Sequence, residues 1–248
     1  MTGNHHTTEG QDENRAGVSR RSMLAAVGAG GSFALAGCTN PADTGGPGDG
    51  EGDAVDPRFG YTATSADADL PVEPDHTVEL RFKPRENVPI PEFFFEPTGL
   101  AVDPGDTVQF KFATPHHNVN AYHPGFGYNQ RVPDGVPPFS SPVLTAGSSW
   151  LYTFEKEGVH DIMCAPHEVF GMVGRVVVGS ASGPGSNPVG EAPGTEQSRP
   201  PEFTAALVLG DPAMAPDAVA SAGTVHWSDL KQENKRPMLV PAEGAGGE

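Results

Sequence analysis

Apolar and polar residues alternate along several short segments in the middle of the chain. Large apolar residues occupy every second position in 77–82, 107–112 and 149–154, and Gly-Arg-Val-Val-Val at 174–178 completes the set of segments. An alternation of period two places these side chains on one face of a β-strand. Turn signals such as Asp-Pro-Gly-Asp at 103–106 separate the segments, so the pattern predicts an antiparallel β-sandwich or barrel. The side chains predicted to share one face of their strand are Val78, Leu80, Phe82, Val108, Phe110, Phe112, Trp150, Tyr152 and Phe154.

These segments define one predicted domain at 75–180, with no sustained helical periodicity. The residues before it, 38–74, are rich in Gly, Pro, Asp, Thr and Ala, so we predict a flexible tether there. A second stretch of biased composition, 181–202, predicts a loose linker after the domain. The 36% hydrophobic content of the chain suffices for one modest core.

The C-terminal tail, 203–248, contains one predicted short helix. It begins at Pro216 and is followed by Gly223, and this pair is typical of the two ends of a helix. The tail carries no motif that indicates a function. The apolar residues expected to dock the tail on the sandwich are Val225, Trp227 and Leu230.

The N-terminus has the pattern of an export signal. Arg20 and Arg21 precede a 14-residue apolar run, 23–36, which is shorter than the roughly 20 residues of a membrane-spanning helix. Adjacent arginines in this place resemble a Tat signal. The following Leu-Ala-Gly-Cys resembles a lipoprotein lipobox, so we predict a signal peptide at 1–37 and a lipid on Cys38. The alternative is an ordinary cleaved signal in which Cys38 has no role.

The charge of the chain excludes one class of partner. Against 32 acidic residues there are 15 Lys and Arg residues, a net charge of −17, and nucleic-acid binders need a basic surface instead. So acidic a surface resembles proteins of salt-loving archaea, and the alternative is an acidic docking face for a basic partner. The chain has only two cysteines, which excludes an all-cysteine zinc or iron–sulfur site.

One short segment carries the chemistry. Cys164, His167 and Met172 form a C-x2-H-x4-M pattern just past a predicted strand, and a His-His-Asn-Val sequence lies at 116–119. Thiolate, imidazole and a weak thioether together suit copper that cycles between Cu(I) and Cu(II). Zinc prefers four good donors, and methionine is not one of them.

On these motifs, residues 75–180 resemble a cupredoxin, a type 1 (blue) copper protein of the plastocyanin, pseudoazurin and halocyanin group. The resemblance implies an all-β fold, a Greek-key β-sandwich, that binds one copper ion. The implied ligands are His117, Cys164, His167 and Met172. His117 is preferred over His116 because the family's ligand directly precedes Asn-Val, and Asn118 then corresponds to the residue that ties the two ligand loops together.

The chain departs from the family pattern around the ligands. Met163 stands where plastocyanins carry a tyrosine beside the cysteine, which leaves the exposed edge of His167 as the expected route for electrons. His160 replaces a usual tyrosine and is expected to be buried and hydrogen-bonded. Val169 and Phe170 replace small residues next to His167, so we expect an enlarged apolar patch for partner docking.

The sequence therefore predicts an electron carrier and not an enzyme. The expected protein carries one electron between respiratory partner proteins and is anchored through its lipid to the outer face of the cell membrane. The alternative is a copper-binding or delivery protein with no redox shuttle. A copper enzyme would need further copper sites with His-x-His clusters, and the sequence has none.

Overall fold

The computed structural model describes residues 54–86 and 88–236. The predicted signal peptide, Cys38, the first part of the predicted tether and residues 237–248 lie outside them. Within the described ranges, none of the helices has both the length and the apolar character that crossing a bilayer requires.

Ten strands and two α-helices follow one another in the part of the chain that the structure describes. The strands are β1 (Tyr61–Ala63), β2 (His76–Arg85), β3 (Val88–Glu96), β4 (Gly99–Val102), β5 (Asp106–Phe112), β6 (Asn120–Ala121), β7 (Ser149–Phe154), β8 (Gly158–Met163), β9 (Val173–Val178) and β10 (Thr224–Val225). The helices are α1 (Phe203–Leu209) and α2 (Pro216–Ala222), and short 3-10 turns connect several elements.

The strands form two five-stranded sheets, in the orders β1-β7-β5-β2-β3 and β10-β4-β9-β8-β6. The predicted all-β sandwich is confirmed. The expectation of purely antiparallel sheets is wrong, because β2 pairs with β5, and β4 with β9, in parallel. Alternation reports which face a side chain occupies and carries no information about the direction of the neighbouring strand.

The core lies between the sheets and contains eight of the nine side chains predicted to share a face. Leu80, Phe110, Trp150 and Phe154 are completely buried there. Phe82 is the exception, since it is 36% exposed. Its ring lies 5.9 Å from the ring of Phe93, which belongs to the edge strand β3.

Part of the predicted tether is packed on the sandwich. Within 54–74, β1 pairs antiparallel with β7, and Val55 and Ala63 are buried. The Nε1–H of Trp150 donates to the carbonyl of Phe59, at 2.8 Å, and the Tyr152 hydroxyl donates to that of Pro57, at 3.1 Å. Buried tryptophan and tyrosine need such acceptors for their polar tips. A backbone carbonyl supplies such an acceptor whatever the composition, so residues 55–63 are fixed to the sandwich although their composition predicts a tether.

The predicted loose linker, 181–202, is also held to the sandwich. Arg131 is fully buried, and its Nη2 donates to the carbonyls of Gly185 and Asn187, at 2.9 and 3.2 Å. A side chain on Gly185 would place its Cβ 2.5 Å from the carbonyl oxygen of Val159, so glycine permits this close approach.

The C-terminal tail adds a helical cover to one sheet. The helix predicted at Pro216 is α2, and the residues expected to dock (Val225, Trp227 and Leu230) are all buried. Trp227 stacks on Phe94 at 5.4 Å between ring centroids. Helix α1 was not predicted, because its seven residues, FTAALVL, are mostly apolar and show no helical period.

Candidate metal centre

The ligand motif lies on a tight loop between β8 and β9. Cys164 directly follows β8, a 3-10 helix covers Ala165–Phe170, and Met172 directly precedes β9. The N–H of Cys164 donates to the carbonyl of Met172, at 3.0 Å, and the N–H of Met172 donates to that of His167, at 3.2 Å. Gly171 has a φ of 88°, a left-handed conformation that ends the helix and turns the chain into β9.

Three side chains converge at this loop. His117, Cys164 and His167 offer ligand atoms that all lie within 4.8 Å of one another. The two Nδ1 atoms are 3.1 Å apart, and Cys164 Sγ lies 3.7 Å from Nδ1 of His117 and 3.4 Å from Nδ1 of His167. The adjacent His116 is exposed, with a φ of 65°, and does not belong to this group.

The triangle of donor atoms has the size that a metal ion requires. A point equidistant from the three atoms lies about 2.0 Å from each, close to the lengths of metal–imidazole and metal–thiolate bonds. A thiolate with two imidazoles is a donor set that suits copper. The residues present therefore fit a copper ion without rearrangement of the loop.

Burial sets the protonation of the three groups. It lowers the pKa of His117 to about 4, with smaller contributions from His167 and His116. The pKa of His167 is also lowered, first by burial and then by His116. Burial raises the pKa of the Cys164 thiol to about 12. At neutral pH both imidazoles are therefore uncharged and free to bind a metal, while the thiol keeps its proton.

Two polar side chains hold the ligands in place. The N–H of Ala165 donates to Oδ1 of Asn118, at 2.8 Å, and the N–H of Asn118 donates to Cys164 Sγ, at 3.5 Å. Asn118 thus connects the His117 loop to the Cys164 loop. On the other side of the His117 ring, Nε2 lies 2.8 Å from Oγ1 of Thr114. Such contacts orient a ligating imidazole.

Met172 is completely buried and belongs to the same hydrophobic cluster as Cys164. The backbone of the loop places it next to His167 through their hydrogen bond. Its role as a fourth ligand stays a prediction.

An aromatic side chain that the motif does not contain covers His167. The ring of Phe93, on β3, stacks on the imidazole of His167 at 4.1 Å between centroids and an interplanar angle of 11°. Phe170 stacks on Phe93 in turn, at 5.3 Å. Val169 is 45% exposed, and His167 and Phe170 are half-buried. No signal in the sequence links Phe93 to this site, because the contact joins a strand of one sheet to the loop between two strands of the other.

His160 is buried, as expected. Its Nε2 lies 2.8 Å from the carbonyl oxygen of Lys156, and burial lowers its pKa to about 4. It takes no part in the group of three ligands.

Residues 85–179 match the sequence model of a protein family, the copper binding proteins of the plastocyanin/azurin family. Over this range, which is less than half of the chain, the sequence is similar to that family. The match covers strands β3 to β9 and the whole ligand loop, and the fold is the cupredoxin-like Greek-key sandwich expected for the family.

Pseudoazurins are among the relatives that the chain resembles. Identity to pseudoazurin of Paracoccus pantotrophus is 34% over 87 residues, which are 35% of this chain and 54% of that protein. Pseudoazurin of Methylorubrum extorquens is 35% identical over 85 residues, 34% of this chain and 51% of that protein. The chain thus spans about half the length of these curated relatives. The crystal structure of pseudoazurin from Methylobacterium extorquens AM1 is 32% identical, with a TM-score of 0.32 over 43% of this chain and 76% of that one.

Metal binding should release one proton. Between about pH 7 and 8.5 the two imidazoles are uncharged and the Cys164 thiol is protonated, so a metal that binds thiolate must displace that proton. We expect the apparent binding constant for Co²⁺, a redox-inert probe, to rise about tenfold per pH unit over this range. Titrations followed by the thiolate-to-cobalt absorption at several pH values measure it. A slope of two would contradict the uncharged state of the histidines, and a slope of zero would contradict the protonated thiol.

Proposed function

We propose that the chain is a blue copper electron-transfer protein, which carries one electron by cycling a single type 1 copper ion between Cu(I) and Cu(II). The observation that carries this proposal is the triangle of donor atoms, with edges of 3.1, 3.4 and 3.7 Å, held by a hydrogen-bonded loop. Because the ligands already lie in position, a change of oxidation state requires little movement of the protein.

Four residues would hold the copper. His117, Cys164 and His167 would be the strong ligands. Met172 would be the weak axial donor, as the resemblance to cupredoxins implies. Copper in such a ligand set supplies one-electron redox chemistry, and its potential depends on the axial ligand and on the surroundings of the thiolate. Here those surroundings are the N–H of Asn118 and the apolar cluster that contains Cys164.

The burial of the site favours this proposal over copper delivery. His117 and Cys164 are completely buried, and His167 is half-buried beneath Phe93. A delivery protein has to hand its metal to another protein's ligands and would need them accessible. Of the four proposed ligands only His167 is partly exposed, which suits the passage of an electron better than the passage of an ion.

We further propose that partner proteins of a respiratory chain dock around His167. The apolar surface there comprises Val169, Phe170, Phe93 and Phe82, and Val169 and Phe82 are 45% and 36% exposed. Exposed aromatic and aliphatic side chains grouped around a half-buried ligand are typical of a docking surface. At molar salt the Debye length is about 3 Å, so apolar contact would contribute more to docking than the net charge of −17.

Substitution of the thiolate ligand tests the copper site. We expect copper-loaded wild-type protein to show an intense visible thiolate-to-copper band, and Cys164→Ser to lose that band and the reversible redox response. Met172→Leu should keep the band and raise the reduction potential, since a donor that stabilises Cu(II) is lost. Absorption spectra and voltammetry measure both. An intense band in Cys164→Ser, or an unmoved potential in Met172→Leu, would show that the ligand assignment is wrong.

Electron self-exchange tests the docking surface without a known partner. At molar salt we expect Phe170→Asp to slow exchange between oxidised and reduced protein about tenfold, because loss of a central apolar contact typically costs more than 1 kcal/mol. The copper spectrum should stay unchanged. Line broadening in NMR spectra of mixed oxidation states measures the rate.

Two further variants control the docking experiment. Phe170→Ser separates loss of the apolar ring from the added charge, and should also slow exchange. Phe59→Asp removes a 63% exposed ring from the segment beside β1 and should leave the rate unchanged. Equal rates in Phe59→Asp and Phe170→Asp would show that docking does not depend on the surface around His167.

We also propose that the protein is exported with its signal peptide, 1–37, and anchored by a lipid on Cys38 to the outer face of the cell membrane. The twin arginines, the short apolar run and the Leu-Ala-Gly-Cys sequence support this. One lipid chain binds membranes only marginally, so a lipid with two chains is expected.

Fractionation of cells tests the anchor. We expect Cys38→Ser to appear in the soluble fraction, while the wild-type protein sediments with membranes. Cys164→Ser is the matched control, since it removes the other cysteine and should stay on the membrane. Retention of Cys38→Ser on the membrane would overturn the proposal.

A further inference from the structure

A buried carboxylate sits inside the ligand loop. Glu168 directly follows His167 and is only 2% exposed. Its Oε1 accepts from the Tyr122 hydroxyl, at 2.9 Å, and from the N–H of Glu202, at 3.0 Å. Its Oε2 accepts from the Tyr128 hydroxyl, at 2.9 Å, and from Nη2 of Arg199, at 2.8 Å. A buried charge is expensive unless it is paired and hydrogen-bonded, and four donors supply that compensation.

The donors come from two parts of the chain outside the loop. Tyr122 and Tyr128 lie just after β6, whereas Arg199 and Glu202 belong to the segment that leads into α1. In the same segment the Thr204 hydroxyl donates to the carbonyl of Val169, at 2.7 Å. The residues 199–204 are therefore fixed to the ligand loop at Glu168 and Val169, the two residues that follow His167.

We propose that Glu168 is a positioning residue for the metal centre, which fixes the ligand loop to segment 199–204 and, together with Arg199, sets the charge that the metal ion experiences. This inference rests on the proposed copper site. It goes beyond that proposal because neither residue belongs to the ligand motif, and because it gives the C-terminal segment a role in the redox property of the site.

The two charges should act on the potential in opposite directions. Consecutive residues lie 3.8 Å apart at their Cα atoms and the two side chains together add at most about 8 Å, so the Glu168 carboxylate lies within about 12 Å of the His167 ring. A unit charge at that distance changes an equilibrium constant roughly tenfold at an effective dielectric constant of about 20. A negative charge stabilises Cu(II) relative to Cu(I), and a positive charge does the reverse. Arg199 is 45% exposed, so its effect should be smaller.

The test compares Glu168→Gln and Arg199→Gln with a matched control. Asp211 is a carboxylate with the same 2% exposure, in the C-terminal tail, that accepts from the N–H groups of Ala213 and Lys231 and from the amide of Asn234. Asp211→Asn therefore removes a buried, hydrogen-bonded charge from the tail outside the ligand loop. All three variants should lower the melting temperature of the protein.

Measurements of the reduction potential and of the rate of copper loss distinguish a positioning role from a general effect on stability. At neutral pH we expect Glu168→Gln to raise the potential, by roughly a tenfold change in the Cu(I) to Cu(II) ratio, and Arg199→Gln to lower it by less. Both variants should lose copper to a chelator faster than wild type. Asp211→Asn should match wild type in potential, visible band and rate of copper loss. Arg199→Lys, which keeps the charge, should return the potential towards the wild-type value.

Either of two results overturns the inference. One is a wild-type potential and copper-loss rate in Glu168→Gln, with only the melting temperature lowered as in Asp211→Asn. The other is a shift of the same sign in Glu168→Gln and Arg199→Gln, which would indicate general loosening of the loop. If Glu168→Gln does not fold, the reduction potentials of the Arg199 variants test the inference. It is wrong if Arg199→Gln does not lower the potential, or if Arg199→Lys does not return it towards the wild-type value. Failure of the copper proposal is distinguishable, because wild-type protein would then show no visible band at all.

Discussion

The hydrogen bond from the N–H of Cys164 to the carbonyl of Met172, at 3.0 Å, closes the ligand loop at its base. It extends the β8–β9 pairing by one step beyond Met163 and Val173, so the sandwich itself determines where the loop begins and ends. Within the closed loop a six-residue 3-10 helix brings Nδ1 of His167 to 3.4 Å from Cys164 Sγ. His117 comes from the loop between β5 and β6, and Asn118 joins that loop to the Cys164 loop. The backbone pairing of the sandwich therefore brings the three donor side chains close together.

Buried charges attach the outer segments to this sandwich. Asp161 on β8 is completely buried between Arg131 and Arg175, which lie 2.6 and 2.7 Å from its two carboxylate oxygens. Arg131 also donates to the carbonyls of Gly185 and Asn187, and Arg175 donates to the carbonyl of Met214. Glu168 does the same for the segment at 199–204. Each of these charges would be costly to leave unpaired, so each one specifies a single position for the backbone that it binds.

The sequence predicts best where a local rule applies. Alternation located β2, β5 and β7, the C-x2-H-x4-M spacing located the ligand loop, and proline and glycine marked both ends of α2. Packing of 54–74 and 181–202 was missed, because there a buried tryptophan, tyrosine or arginine bonds to backbone carbonyls. Any residue offers a carbonyl, so composition gives no signal of such contacts. Phe93 and Glu168 were missed for a related reason: their partners lie far away in sequence, and neither residue type is unusual in a strand or a loop.

The outer and inner faces of the ligand loop make different kinds of contact. On the surface side, Phe93 stacks on His167, which is half-buried and is the most accessible of the proposed ligands. On the inner side, the neighbouring residue, Glu168, binds the tyrosines and the C-terminal segment. Two adjacent residues of the 3-10 helix therefore separate the proposed docking surface from the attachment of the loop to the rest of the fold. Because the inner face is held by charges and hydrogen bonds, the outer face can stay apolar without loosening the ligands. This division explains how a loop bearing three of the four proposed ligands can also carry the exposed surface of the site.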